Sequence, residues 1–300
     1  MPESSLSGLV VSTLISTFLY AVTCCQIYFY YKSNFKDPAR TRVLVILVVL
    51  FETAHTLCFW IYLYRVTVLN YGDLSILTKR DWSLSLSIVF HGIISALVQA
   101  YYAYRIWVLS RWHYISFISW GGSVLEILGS VGITTALQKF GPIEFTAHWK
   151  WIAIATIALD VFIDTVNTTA LSFFLYTHRT GFKQTDQLIV RLIAWTIETG
   201  LLTSVVATVM LIACIALPNS ELYIALSAFY PKLYSNSFFA SLNGRGPLGP
   251  GASKHKTTTF DERHHTTLHE FYITQETIEM ASSSDPHSGS SKPNPTGPFT

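Results

Sequence analysis

Charge is what this sequence has least of. Aspartate, glutamate, lysine and arginine make up 13% of its 300 residues, while half of the residues are hydrophobic; a soluble domain carries about twice that charged fraction. The formal net charge of +2 is spread between apolar runs rather than gathered in one patch, so it gives no basis for nucleic-acid binding. Cysteine is equally sparse. Cys24, Cys25, Cys58 and Cys214 all fall inside apolar runs, so no disulfide framework of exterior loops is expected, and packing is their natural role. The N-terminus, MPESSLSG, has no basic residue ahead of the first apolar run and so lacks the charged start of a signal peptide; a retained first helix is expected. Proline is missing from every apolar run except the last, which holds Pro231, so the paired broken helices of inverted-repeat transporters are not in evidence.

What is present is a series of long apolar runs. Seven are long enough to cross a bilayer core of about 30 Å, near 8–31, 43–64, 84–108, 114–137, 151–176, 187–217 and 221–242. The expected fold is therefore all-α, an integral membrane bundle of seven transmembrane helices over residues 1–245. Beyond it, residues 246–300 are rich in Gly, Pro, Ser and Thr and predict a disordered cytosolic tail. Its histidines His264, His265 and His269 come without a complete ligand set, so no metal and no cofactor is expected.

Loop charge sets the orientation. With the N-terminus outside, the inner side carries Lys32, Lys36, Arg40, Arg42, Arg105, Arg111, Arg179, Lys183, Arg191 and Arg245, against Arg65, Lys79, Arg80, Lys139 and Lys150 outside. Ten against five is the bias that cytosolic loops show. Of these, Arg105, Arg111, Arg179, Lys183 and Arg191 form the expected cytoplasmic face, where a signalling partner would dock. Between the fifth and sixth runs, Gly181 suits a helix end and Thr185-Asp186 offers an N-cap followed by a first-turn acid.

Three stretches stand out together: RTGFKQTDQLIVRLIAWTIETGLLTS (179–204), QAYYAYRIWVLS (99–110) and KLYSNSFFASLNGR (232–245). They resemble a family of multi-pass membrane proteins of mushroom-forming basidiomycete fungi, catalogued as a domain of unknown function. The resemblance runs through about residues 15–245. It implies a seven-helix fungal membrane protein, supplies no activity and transfers no functional residue.

Function must then be sought among ionisable residues inside the apolar runs, where a charge costs at least about 2.5–3.5 kcal/mol unless it faces the bundle interior and pairs. Asp160, Asp164 and Asn167 share one face of the fifth helix, and Glu52 and His55 one face of the second. His91, Ser95, Gln99 and Tyr102 stripe the third; Glu126, Glu198 and Lys232 lie within the fourth, sixth and seventh. These residues are the candidate ligand-binding site or polar core. Lys232 is expected to pair with a carboxylate, with the Asp160/Asp164 face favoured and Glu126 and Glu52 as the alternatives.

A membrane zinc hydrolase is disfavoured because no His-x-x-x-His pair lies in a run, and a retinal protein because the third run has no acid to serve as counter-ion. The similarity to G-protein-coupled receptors is one of topology, helped by Arg105 at the end of the third run and by Pro231-x-x-Tyr234 in the seventh. Three roles stay open: a receptor-like sensor of a small or lipophilic ligand, a transporter or ion-coupled carrier, and a structural protein whose polar core fixes packing. Short loops and the lack of a soluble catalytic domain weigh against an enzyme.

Overall fold

The structure, a computed structural model, describes residues 2–33, 37–110, 113–177, 183–216 and 222–244, apart from the side chains of 2–5, 74, 77, 183–189, 191, 192 and 195. These all lie in the first of two units, Met1–Gly246 and Pro247–Thr300. The expected disordered tail, 246–300, lies outside the described residues.

The described residues form seven long helices: α1 (Pro2–Lys32), α2 (Ala39–Tyr64), α3 (Trp82–Leu109), α4 (His113–Phe140), α5 (Lys150–Thr177), α6 (Lys183–Ala216) and α7 (Leu222–Asn243). There is no strand among the described residues. α6 starts at Lys183, ahead of the cap expected at Thr185: Lys and Gln are good helix formers, and they carry the helix one turn further back. At the end nearest the start of α1, α2 continues as a π-helical turn, Arg65–Leu69, and α3 is reached through a 3-10 turn, Leu74–Thr78. Asp73 caps that turn, and hydrogen bonds from Ser75 and Lys79 hold its carboxyl below the usual carboxylate range. Asp81 caps α3 by accepting from the backbone N–H groups of Ser83 and Leu84, and its other oxygen lies 3.2 Å from Arg65 Nε. Gly141, at φ 90°, makes the turn after α4.

Among the described residues, six segments on α1 to α6 and their flanking turns have the length and composition to cross a bilayer: Leu6–Lys32, Ala39–Leu69, Trp82–Leu109, His113–Phe140, Pro142–Thr177 and Thr196–Ala216. The molecular surface agrees with that reading. Leu14, Phe18, Leu128, Phe162 and Leu201 are each more than half exposed, while Glu52, His55, Gln99 and Lys232 are fully enclosed. Apolar outside and polar inside is the distribution of a membrane bundle, where lipid takes the greasy faces and backbone groups bond within each helix.

Consecutive helices pack side by side around a ring closed by α7 against α1, and both α3 and α7 reach across it, α3 to α5 and α7, α7 to α2. α7 is the most enclosed, with buried residues along its whole length from Ala225 to Leu242. This explains its weak apolar character: its neighbours are other helices, so its polar side chains bond to protein. Ser16 Oγ donates to the carbonyl of Ala228, Asn236 Nδ2 to that of Leu19 and Asn243 Nδ2 to that of Gln26. Because both numbers rise together in these contacts, α7 runs parallel to α1.

Candidate functional site

Two polar clusters occupy opposite faces of α7. Residues two apart on a helix point about 200° away from each other, so Lys232 faces away from both Tyr230 and Tyr234. That geometry corrects the pairing expected from the sequence. Lys232 does not meet the Asp160/Asp164 face; it turns to α2, where its Nζ lies 3.0 Å from Glu52 Oε1, 2.7 Å from Thr56 Oγ1 and 3.2 Å from His55 Nδ1. Ser235, one turn along α7, donates to Glu52 Oε2 at 2.8 Å. The ring of Tyr20 on α1 closes the site, 5.7 Å from the ammonium.

On the other face, Tyr230 and Tyr234 are i and i+4 and turn toward α5. Tyr230 OH donates to Asp160 Oδ2 at 2.6 Å, and Tyr234 OH lies 2.9 Å from Asp160 Oδ1 and 2.5 Å from Asp164 Oδ2. Gln99 on α3 donates through Nε2 to Asp160 Oδ1 at 2.8 Å and accepts from Ser123 on α4 at 3.1 Å. Glu126, also on α4, lies beside Ser95, Gln99 and Asp160. Its Oε2 is buried without a hydrogen-bond partner. Four helices thus meet at one layer holding Glu126, Asp160 and Asp164, and among the described residues no lysine or arginine forms an ion pair with any of the three.

A cavity of about 450 Å³ runs from the loop at Thr78–Asp81 down to this layer. Its walls are mostly apolar, with Ile88, Ile133, Ile157 and Met210 among them, and its floor carries His91, Glu126 and Asp160. Asp160 is ten residues into α5, about 15 Å below the start of that helix. Below the layer a void of about 20 Å³ lies between Asp164, Asn167, Tyr102, Tyr234 and Ser237, roughly room for one water. Neither polar atom of the Asn167 amide has a hydrogen-bond partner, although the residue is 3% exposed. Lower again, Tyr102 OH meets Ser237 at 2.8 Å and Arg105 Nη1 donates to Ser241 at 2.7 Å.

The candidates from the sequence therefore divide. Glu52, His55 and Lys232 form one cluster; Gln99, Glu126, Asp160 and Asp164 form the other, with Asn167 in the void below. His91 stands between them, its ring edge-to-face with Tyr230 at 5.2 Å. Glu198 belongs to neither: it is exposed on the outer face of α6. Of the expected cytoplasmic residues, Arg105 is bonded to α7, Arg111 and Arg179 are outside the described residues, and so are the side chains of Lys183 and Arg191.

Sequence reasoning missed Thr56, Ser235 and Tyr230 as site residues, and took Tyr234 only as part of a proline motif. The signal was available: Tyr230/Tyr234 and Lys232/Ser235 are one-turn pairs on two faces of a single helix. Among the described residues no group of three His, Cys, Asp or Glu side chains has the arrangement of a metal site.

Residues 160–247, from Asp160 through α7, match a family described as "Family of unknown function (DUF6534)". The stretch contains Asp160, Asp164, Tyr230, Lys232 and Tyr234, so one side of both polar clusters lies within it. No curated protein and no solved structure matches the chain.

Proposed function

We propose that this is a seven-helix, receptor-like sensor of a small lipophilic ligand in a fungal membrane, without enzymatic activity, its N-terminus outside and its C-terminus in the cytosol. The observation that carries the reading is the cavity. It has the volume of a small-molecule site, apolar walls and a few convergent polar groups at its base, which is how such sites are built. It opens at the end of the bundle where α1 begins, the outer end in this orientation. The parallel run of α7 beside α1 supports a seventh crossing, since 22 residues at about 1.5 Å each reach about 33 Å. Arg105, joined to Ser241 at the far end, connects α3 to α7 on the side where a cytosolic partner would bind.

An ion-coupled carrier is the second reading, favoured by the void at Asn167. The polar groups do not stop at the cavity floor but continue through Asp164 and Asn167 to Tyr102, Ser237 and Arg105. Purified protein in lipid nanodiscs, screened by thermal shift against small amphiphiles, tests the shared premise. A binder should raise Tm in the native chain and have no effect on Ser227→Trp, which places an indole in the cavity. Screening without any such binder would overturn the site. Binders should then be tried in proteoliposomes: ligand-promoted nucleotide exchange on a G protein supports the sensor, and ligand flux supports the carrier.

A further inference from the structure

We propose that the cavity takes a protonated amine, with its ammonium on Glu126 and Asp160 and its hydrocarbon body against Ile88, Ile133 and Met210. The inference rests on the reading of the cavity as a ligand site and adds the charge of the ligand.

Three carboxyl groups meet at the cavity floor or just below it, and among the described residues no lysine or arginine pairs with any of them. Lys232 is bound to Glu52 on the opposite face of α7, Arg65 to Asp81 and Lys79 to Asp73. Uncompensated carboxylates in a low-dielectric bundle are costly, so protons or a bound cation must balance this layer. The hydrogen bonds are just as uneven. Asp160 and Asp164 receive Gln99, Tyr230 and Tyr234, whereas Glu126, 3% exposed and lining the cavity, keeps one oxygen without a donor. Ser95 Oγ, fully enclosed, lies beside it. An ammonium group brings both the missing charge and the missing donors.

The mouth does not favour an anion. Lys79, paired with Asp73, and Arg80 are exposed there, where water and salt screen them; a carboxylate drawn in would meet Glu126 and Asp160 at the floor. Size fits as well: about 450 Å³ is within the range of small-molecule sites.

The test uses the full chain in nanodiscs of zwitterionic lipid and three probes of one shape: 2-phenylethylammonium, 2-phenylethanol and phenylacetate. The ammonium should raise Tm and compete with the other two, the alcohol should bind more weakly, and the anion should not bind. Glu126→Gln should weaken the ammonium by about tenfold or more, as losing one partner of a buried charge pair does, and leave the alcohol unchanged. The order of the three probes on the native chain stands as a test even if that variant fails to fold.

Equal binding of ammonium and alcohol, abolished together by Ser227→Trp, would keep the ligand site and overturn its charge preference. Binding of none of the three overturns both. Stabilisation by sodium over caesium, with no effect of the amine, would make the floor an inorganic ion site and refute the proposal.

Discussion

Lys232 on α7 and Glu52 on α2 form a 3.0 Å ion pair with both side chains completely enclosed. The partners around it satisfy the pair almost fully: Thr56 and His55 on the ammonium, Ser235 on the carboxylate. Removing one member leaves the other charged and buried. Lys232→Met is expected to destabilise the bundle by about 3–5 kcal/mol, and the double change Lys232→Met with Glu52→Leu to recover most of that loss, because a buried pair exchanged for apolar residues costs little. Melting curves of the three proteins in one detergent check this. A double variant no more stable than the single would mean that the charges do not balance each other.

Tyr234 supplies one hydroxyl to two carboxyl groups. Tyr234→Phe should cost about 1–3 kcal/mol, because the buried Asp164 Oδ2 loses the hydroxyl 2.5 Å away. Tyr20→Phe is the control. Its hydroxyl meets Thr53, which already bonds the carbonyl of Val49, so its loss should stay near 0.5–1.5 kcal/mol. Equal losses would show that the carboxyl layer finds another donor.

Which helices exist was legible because polar residues were confined to short gaps; the seven helices start and end within about seven residues of the apolar runs that predicted them. Which side chains meet was not. Periodicity put Asp160 and Asp164 on one face, and they share it, but it says nothing of which helix stands opposite. Lys232 could be given a depth and not a direction, and its depth suited Glu52 as well as Asp160. The angle to Tyr230 and Tyr234 decides, and only once α2 and α5 are known to flank α7 on different sides. Glu198 fails for a related reason: an acid inside an apolar run was taken to face inward, and α6 turns it outward.

The two ends of the bundle should lie on opposite sides of the membrane. The parallel run of α1 and α7 fixes the relative sense, and the ten-to-five loop charge bias gives the absolute one. A reporter active only in the cytosol, fused after Arg245, should give signal, and one fused ahead of Met1 should not. The reverse pattern would invert the bundle and place the cavity mouth on the cytosolic side.

Gly200 on α6 packs against Thr168 on α5 so closely that an added Cβ would run into the threonine's Oγ1, Cγ2 and Cβ. Two effects of Gly200→Ala then oppose each other. Alanine favours a helix over glycine by about 1 kcal/mol, while forcing a methyl group into a filled contact costs about 1–3 kcal/mol. The Cβ of Thr168 is itself among the clashing atoms and stays in place whichever rotamer the side chain takes, so the steric loss should win. Gly121 on α4 is the matched case: nothing lies within 4 Å of its added Cβ, so Gly121→Ala should be neutral or stabilising by up to about 1 kcal/mol. Pairing Gly200→Ala with Thr168→Ala removes the obstruction and should restore most of the loss. Melting temperatures of the native chain and the three variants measure the balance. If Gly200→Ala and Gly121→Ala change stability alike, small-residue contact is not what holds α5 against α6.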